Sequence, residues 1–274
     1  MNCRSALLAC LFALAAACGG SSRSTYARYP GAPATFDRAT ADQKAVAIAD
    51  KMLAAAGGQA AWDKAKQIRW KQTVTTDGKV GLDGEEAWDR WNARHWGKLM
   101  KGEQNVVVGY ELYGKFSMGF IEDAERPDKK QNLDDDSRQK ALKTAKDAFN
   151  IDTALLCMPF LMLEPGTTLK YIGPAKDEAG NETLDQIQVN FADPLRTGLD
   201  FHVFVDRTSN LPQRIEILKT GTTQKIGFTL ADWTTAGGLK FATKRTNLGY
   251  SGEVTTIANI RISEPEDELF IAPL

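Results

Sequence analysis

Histidine is nearly absent from this chain: His95 and His202 are the only two in 274 residues. They cannot form the His-x-x-x-His spacing of a helical zinc site, and there is no cysteine cluster to supply another tetrahedral set. A metal is therefore not expected, and nothing in the residue pattern asks for another cofactor. "GYSG" at 249–252 and "GKFSMG" at 114–119 both miss the spacing of a nucleophile elbow, so the chain reads as a non-enzyme. Charge of one sign is lacking too. The 34 lysines and arginines nearly cancel the 35 aspartates and glutamates, leaving a net charge of −1. That balance gives no reason to expect nucleic acid or an anionic membrane surface as partner. Downstream of the N-terminal region, "IDTALLCMPFLMLEPG" holds an uncharged apolar run of ten residues, 154–163. A spanning helix needs about twenty.

Cysteine is also scarce, and what the N-terminus does makes it scarcer. Residues 1–17 read as a secretory signal: Arg4, then an apolar run, then small residues up to Cys18. The sequence "LAAAC" resembles the lipobox of bacterial lipoproteins, in which the cysteine is diacylated and becomes the first residue of the mature chain. Ala15 stands where leucine is commoner, and the competing reading is an ordinary cleaved signal. The preferred expectation is lipid, palmitate included, on Cys18, with Gly19 resembling the residue that sends such proteins on to the outer membrane. The domain would then face the periplasm. Cys3 and Cys10 leave with the signal, so Cys157 is left without a disulfide partner and reads as a small buried hydrophobe.

Residues 18–39 are rich in Gly, Ser, Ala and Pro and read as a flexible tether with a reach of about 25 Å. Residues 40–274 are expected to form one domain. Thr40 and Gln43 have capping-box spacing ahead of a helix with Ala45, Ile48, Ala49, Met52, Leu53 and Ala56 on one face, stopped by Gly57 and Gly58. The period then falls to 2, with Ile68, Trp70 and Val74 alternating with polar neighbours and "DG" at 77–78 marking a hairpin. Further strands are expected around "EAWDRWN", "RHWGKLM", "NVVVGYELY" and "FSMGFIE". Asp134, Asp135 and Asp136 lack the spacing of a calcium loop and read as the acidic opening of a helix, "SRQKALKTAKDAF". Pro159 disfavours a continuous helix through the apolar run, which predicts a short kinked segment instead. Clean alternation returns at Ile187/Val189/Phe191, Phe201/Val203/Val205, Ile215/Ile217, Ile226/Phe228/Leu230 and Ile260/Ile262. One face is wet and one dry, as in an antiparallel sheet covered on one side. His202 falls on the wet face. The fold class expected is mainly β (α+β): one strongly curved antiparallel sheet, an incomplete β-barrel, with helices covering its concave face.

"HVFVDRTSNLPQRIEIL", "IGFTLADWTTAGGLKFATK" and "ISEPEDELFIAP", with the earlier "GGQAAWDKAKQIRW" and "MPFLMLEPG", are similar to the LolA/LolB-like outer-membrane lipoprotein-sorting superfamily and its lipid-anchored relatives. The resemblance covers most of residues 41–273 and lies in turns and apolar positions. It implies an incomplete β-barrel with helical lids over an apolar cavity that accepts acyl chains. Trp70, Leu156, Phe160, Leu163, Val203 and Phe228 are the candidate cavity and lid residues. Whether Leu156, Phe160 and Leu163 cover a cavity or merely complete a core stays open at this level. The function expected is a monomeric, lipid-anchored envelope protein that binds an acyl chain, lipid or lipoprotein. The alternative is an envelope sensor or assembly factor that uses the same fold to bind protein.

Overall fold

The computed structural model describes residues 26–250 and 252–273; the expected signal peptide and Cys18 lie outside them. Helices α1 (Gln43–Ala55) and α2 (Gln59–Lys64) precede six strands: β1 (Gln67–Thr76), β2 (Lys79–Asp89), β3 (Arg94–Lys101), β4 (Gln104–Glu111), β5 (Ser117–Asp123) and β6 (Lys130–Asn132). A 27-residue helix, α3 (Asp135–Leu161), follows. Seven strands come next: β7 (Thr167–Ala175), β8 (Leu184–Phe191), β9 (Leu199–Asp206), β10 (Pro212–Lys219), β11 (Lys225–Ala236), β12 (Leu239–Asn247) and β13 (Glu253–Ser263). A short 3₁₀ turn, Asp267–Phe270, comes after them.

All 13 strands of the described residues join one sheet in the order β6-β5-β4-β3-β2-β1-β13-β12-β11-β10-β9-β8-β7. Every pairing is antiparallel. The first six strands step outward from β1, α3 carries the chain to the opposite edge, and the last seven step back until β13 pairs with β1. The turns follow residue chemistry. Asp77 and Gly78 both have positive φ, +50° and +76°, as the two-residue hairpin between β1 and β2 requires.

A flat sheet would hold the ends of β4 and β8, nine positions apart, roughly 43 Å from each other at 4.8 Å per strand. Yet the Tyr113 hydroxyl, just past β4, donates to Asp193, just past β8, at 2.9 Å. The sheet therefore curls back on itself, although its edge strands β6 and β7 do not pair. The end where β4 and β8 meet is here termed the mouth.

The helices differ from the expectations in two places. The cap of α1 is Asp42, not Thr40: its carboxylate accepts from Lys44 N and Ala45 N and also from Tyr171 N on β7, at 3.0, 3.2 and 2.9 Å. Thr40 instead donates its hydroxyl to Asp37. Asp42 wins because one carboxylate serves both the helix N-terminus and the neighbouring strand. The second correction concerns the apolar run, which is not a separate kinked segment but the last turns of α3, with Pro159 inside the helix. An interior proline costs roughly 3 kcal/mol. Leu155, Leu156, Met158 and Phe160 in those turns are each no more than 2 % exposed. At about 1.5–3 kcal/mol apiece, their burial outweighs the lost hydrogen bond. Asp134 caps α3 through Ser137 N, and Asp135 and Asp136 occupy the first turn, where the helix dipole favours them.

Burial forms two large clusters about α3. Ala154, Leu155, Met158 and Met162 pack with Ala45, Val46, Ala49 and Met52 of α1 and with Ile187, Val189, Phe201, Val203, Ile215 and Ile217. Phe149, Leu156, Cys157 and Phe160 pack with Trp62 of α2 and with Ile68, Trp70, Trp88 and Phe241. On the opposite face of the first meander, Phe270 covers Ala87, Trp96, Val107, Met118 and Phe120. Among the described residues no helix is long and apolar enough to cross a membrane.

Candidate functional site

The mouth is assembled from three turns and one helix end. After β2, buried Asp89 accepts from Asn92 N, Asn92 Nδ2, Arg94 Nε and Arg94 Nη2, which fixes a tight turn with Arg90 at its start. Arg90 is 2 % exposed, and its Nη1 donates to the carbonyls of Trp62 and Ala65 at 2.7 and 2.6 Å. In this way the guanidinium satisfies carbonyls at the C-terminal end of α2. It lies 3.3 Å from the Trp62 ring centroid. After α3, Glu164 accepts from Trp62 Nε1 at 2.8 Å and from the Tyr26 hydroxyl, and stands 3.9 Å from Arg90 Nη2. After β8, Asp193 accepts from Arg196 Nη1 and the Tyr113 hydroxyl, while Arg196 Nη2 donates to Thr153 Oγ1 of α3 at 2.8 Å.

These groups line a pocket of about 70 Å³ together with Trp88, Phe149, Leu161, Phe191 and Leu195. The outer wall is the chain itself. Residues 26–33 form a strap, with Tyr26 and Tyr29 among the pocket lining. Ala27 N donates to Trp91 O at 3.2 Å, Tyr29 meets Tyr113 edge-on at 6.4 Å, and Arg90 lies 4.7 Å from the Tyr26 ring centroid. Burial, then the Glu164 carboxylate, pushes the Tyr26 phenol well above its ordinary range; burial and Asp193 do the same to Tyr113. Burial pulls the Arg90 guanidinium below its ordinary value, with Glu164 opposing. The site is thus an apolar well rimmed by two buried guanidiniums, two carboxylates and three phenols. Such a rim suits a ligand with a polar head and an apolar tail.

Under α3 the sheet carries a second polar group. Arg245 Nη1 of β12 donates to Asp152 Oδ1 at 2.9 Å, and Gln72 Nε2 of β1 donates to Asp152 Oδ2 at 3.2 Å. Glu86 pairs with His95 Nε2 at 2.8 Å, and the His95 ring lies 4.6 Å from that of Phe149. Burial, reinforced by the negative charge of Glu86, pushes the Asp152 carboxyl up to about 6. This group pins the middle of α3 to both halves of the sheet.

Of the six residues expected to line a cavity, Trp70, Leu156, Phe160 and Val203 are buried in the packed interior and Leu163 and Phe228 are partly buried at its margin. Trp70, Leu156 and Phe160 belong to the cluster around Trp62, with Phe160 stacked on Trp62 at 4.7 Å. Val203 is fully buried in the other cluster, Phe228 lies at that cluster's margin, and Leu163 touches both. Cys157 is fully buried, and burial pushes its thiol up to about 12. His202 shares a hydrogen bond with Gln186 at 2.7 Å on the partly exposed face of β9. Sequence reading missed Arg90, Glu164, Asp193, Arg196 and the two strap tyrosines. The signals that could have marked them are the Trp-flanked arginine in "AWDRWN" and the two tyrosines of "TYARYPG" inside an otherwise small-residue tether.

No family model and no curated protein matches the chain. Among solved structures it is similar to a DUF1329 family protein from Desulfovibrio piger, at TM-score 0.49 and 11% identity over 83% of this chain and 97% of that one. It is similar to a LolA superfamily protein from Nitrosomonas europaea, at 0.46 and 11% over 83% and 97%. A third likeness is to a domain named for outer membrane lipoprotein sorting from Vibrio parahaemolyticus, at 0.45 and 10% over 83% and 96%. These include the superfamily that the sequence resembles. At such identities and scores the likeness carries no argument of its own.

Proposed function

We propose that the protein is a lipid-anchored envelope protein that binds an acyl chain, lipid or lipoprotein, with the mouth of the curled sheet as the entrance. One observation carries this reading: an apolar, aromatic-walled well opens beneath a rim of buried charges at Arg90 and Arg196. The tail of an amphiphile enters among Trp88, Phe149, Leu161 and Phe191, and its head meets the rim. Helices α1 and α3 fill the rest of the hollow. A 70 Å³ pocket is smaller than the cavity of about 150 Å³ that admits benzene, so an acyl chain enters only as the mouth widens. Binding, not catalysis, is the role of the rim groups.

Anchoring at Cys18 fits this role. Cys18 precedes Tyr26 by eight residues, which span at most about 28 Å when extended. The anchor therefore keeps the mouth close to the outer-membrane surface from which an acyl chain would come. Two acyl chains suffice for stable attachment where one is marginal. The test is mass spectrometry of organic extracts from protein purified out of native membranes, with cis-parinaric acid titration as the solution counterpart. A co-purifying acyl species and saturable fluorescence support the proposal; a clean extract with no fluorescence rise overturns it.

A second reading, an envelope factor that binds protein, is favoured by the strap itself. The mouth already holds a stretch of polypeptide, so a partner's chain fits there as well as a lipid does. A clean extract together with a single co-purifying polypeptide would select this alternative.

A further inference from the structure

We infer that the strap, residues 26–33, is a built-in competitor for the mouth: it occupies the unloaded site with Tyr26 and Tyr29 and leaves when an amphiphile carrying an acyl chain enters. This inference rests on the mouth being an acyl-chain entrance, as proposed above.

The strap is held by few groups. Among the described residues, its one main-chain hydrogen bond to the body is Ala27 N to Trp91 O. Arg28 donates to the carbonyl of Pro33 within the strap at 3.3 Å and to that of Ala34, the next residue, at 2.9 Å. Together with the turn closed by Ala32 N on Tyr29 O, and with Gly31 at φ +82°, this makes the strap a small preformed unit. A unit of this kind departs whole, because its internal bonds go with it.

What it leaves behind is not stranded. When Tyr26 withdraws, Glu164 keeps the Trp62 indole N–H at 2.8 Å and Arg90 alongside. Among the described residues the buried Tyr29 hydroxyl has no protein hydrogen-bond partner, so its departure gives up the edge contact with Tyr113 but no protein hydrogen bond. Beneath the strap the exposed surface would be the apolar wall of Phe149, Leu161 and Leu195, which an acyl chain covers and water does not. The exchange of two phenols for an acyl chain therefore conserves burial at the loss of one protein hydrogen bond, Tyr26 to Glu164, whose partners both regain water.

A competitor that must leave lowers apparent affinity by the fraction of molecules already open. The full chain with Tyr26→Ala and Tyr29→Ala together should bind cis-parinaric acid roughly tenfold or more tightly than wild type, with faster association. Tyr250→Ala, an exposed tyrosine outside the strap, serves as control and should leave binding unchanged. In wild type, cis-parinaric acid should also speed tryptic cleavage after Arg28, followed by intact mass. Equal affinity in both proteins, or cleavage after Arg28 that the probe leaves unchanged or slows, overturns the competitor while the entrance stands. Binding in neither protein overturns the entrance and the competitor with it. If the double variant does not fold, the cleavage arm on wild type decides alone.

Discussion

Phe160→Ala and Phe228→Ala, compared side by side, weigh the packing of α3 against that of the sheet. Phe160 is 2 % exposed, stacks on Trp62 at 4.7 Å and 15°, and lies 5.8 Å from Phe241. Truncating a phenylalanine in a packed core costs 3–5 kcal/mol, and the stack adds about 0.5–1.5 kcal/mol. The expected loss at Phe160 is therefore about 3.5–6.5 kcal/mol, or roughly 7–26 °C in Tm for a domain of this size. Phe228 is only half-buried at the edge of its cluster. Its truncation should cost about 1–3 kcal/mol. Were the end of α3 a lid over a cavity, the order would reverse, since a side chain over a void has already forfeited dispersion contacts. Urea unfolding followed by tryptophan fluorescence, with m-values compared between variants, measures both losses. If Phe228→Ala costs as much as Phe160→Ala, or Phe160→Ala costs under about 2 kcal/mol, the filled-core reasoning fails and the end of α3 is a lid.

Asp152 sets a pH dependence. Its folded carboxyl keeps its proton up to about pH 6, while the unfolded one releases it near 4, so the native state holds an extra proton between those values. Stability from this group is therefore present below about pH 4 and is lost as pH rises through 6, by at most about 3 kcal/mol. Asp152→Asn should flatten the stability profile between pH 4 and 7 and cost least at pH 7, where the wild type has already lost this group's contribution and Arg245 keeps the Asp152 main-chain carbonyl position as an acceptor. A wild type that instead gains stability over Asp152→Asn steadily from pH 4 to 6 would contradict the assignment. Gly166 sits at φ +82°, and a Cβ there would fall 2.1 Å from the Tyr29 hydroxyl oxygen. Gly166→Ala should push Tyr29 out, costing about 1–2 kcal/mol in backbone strain and speeding tryptic cleavage after Arg28 without any ligand; unchanged cleavage would count against the tight fit. Cys18→Ala should move the protein to the aqueous phase on detergent partitioning and abolish palmitate labelling, and persistent membrane association would refute the anchor.

Strands were legible because burial on one face writes a period of two directly into the chain. Ile187, Val189, Phe201 and Val203 lie on β8 and β9, where they register opposite one another. The Asp77-Gly78 hairpin was legible because few residues tolerate positive φ. Helix α3 was misread at Pro159 for an energetic reason: local propensity records the missing hydrogen bond but not the tertiary burial that exceeds it. The α1 cap was misread because Asp42 is selected partly by Tyr171, 129 residues away. The rim was illegible for the same cause on a larger scale. Arg90, Glu164 and Arg196 converge only because the sheet curls; a curved sheet was expected, but the short-range pattern does not say which turns its curl brings together. The interior was legible as apolar but not as filled, since periodicity reports which side chains turn inward and not how much room they leave.

The position of β13 beside β1 also bears on how the protein comes into being. Gln67 registers with Ser263, so the central seam of the sheet joins nearly the first strand made to the last. A nascent chain emerging N-terminus first can build β1 to β6 early, but β1 must wait with its outer N–H and C=O groups unpaired until almost the whole domain has been synthesised. An exposed edge ten residues long is a template for pairing with other chains. Contacts this distant in sequence also form slowly, on the millisecond-to-second scale. The vulnerable interval of this molecule therefore precedes its last strand, and escort by a holding chaperone matters most there. Truncation before Glu253 would make that interval permanent, leaving two meanders with no seam between them.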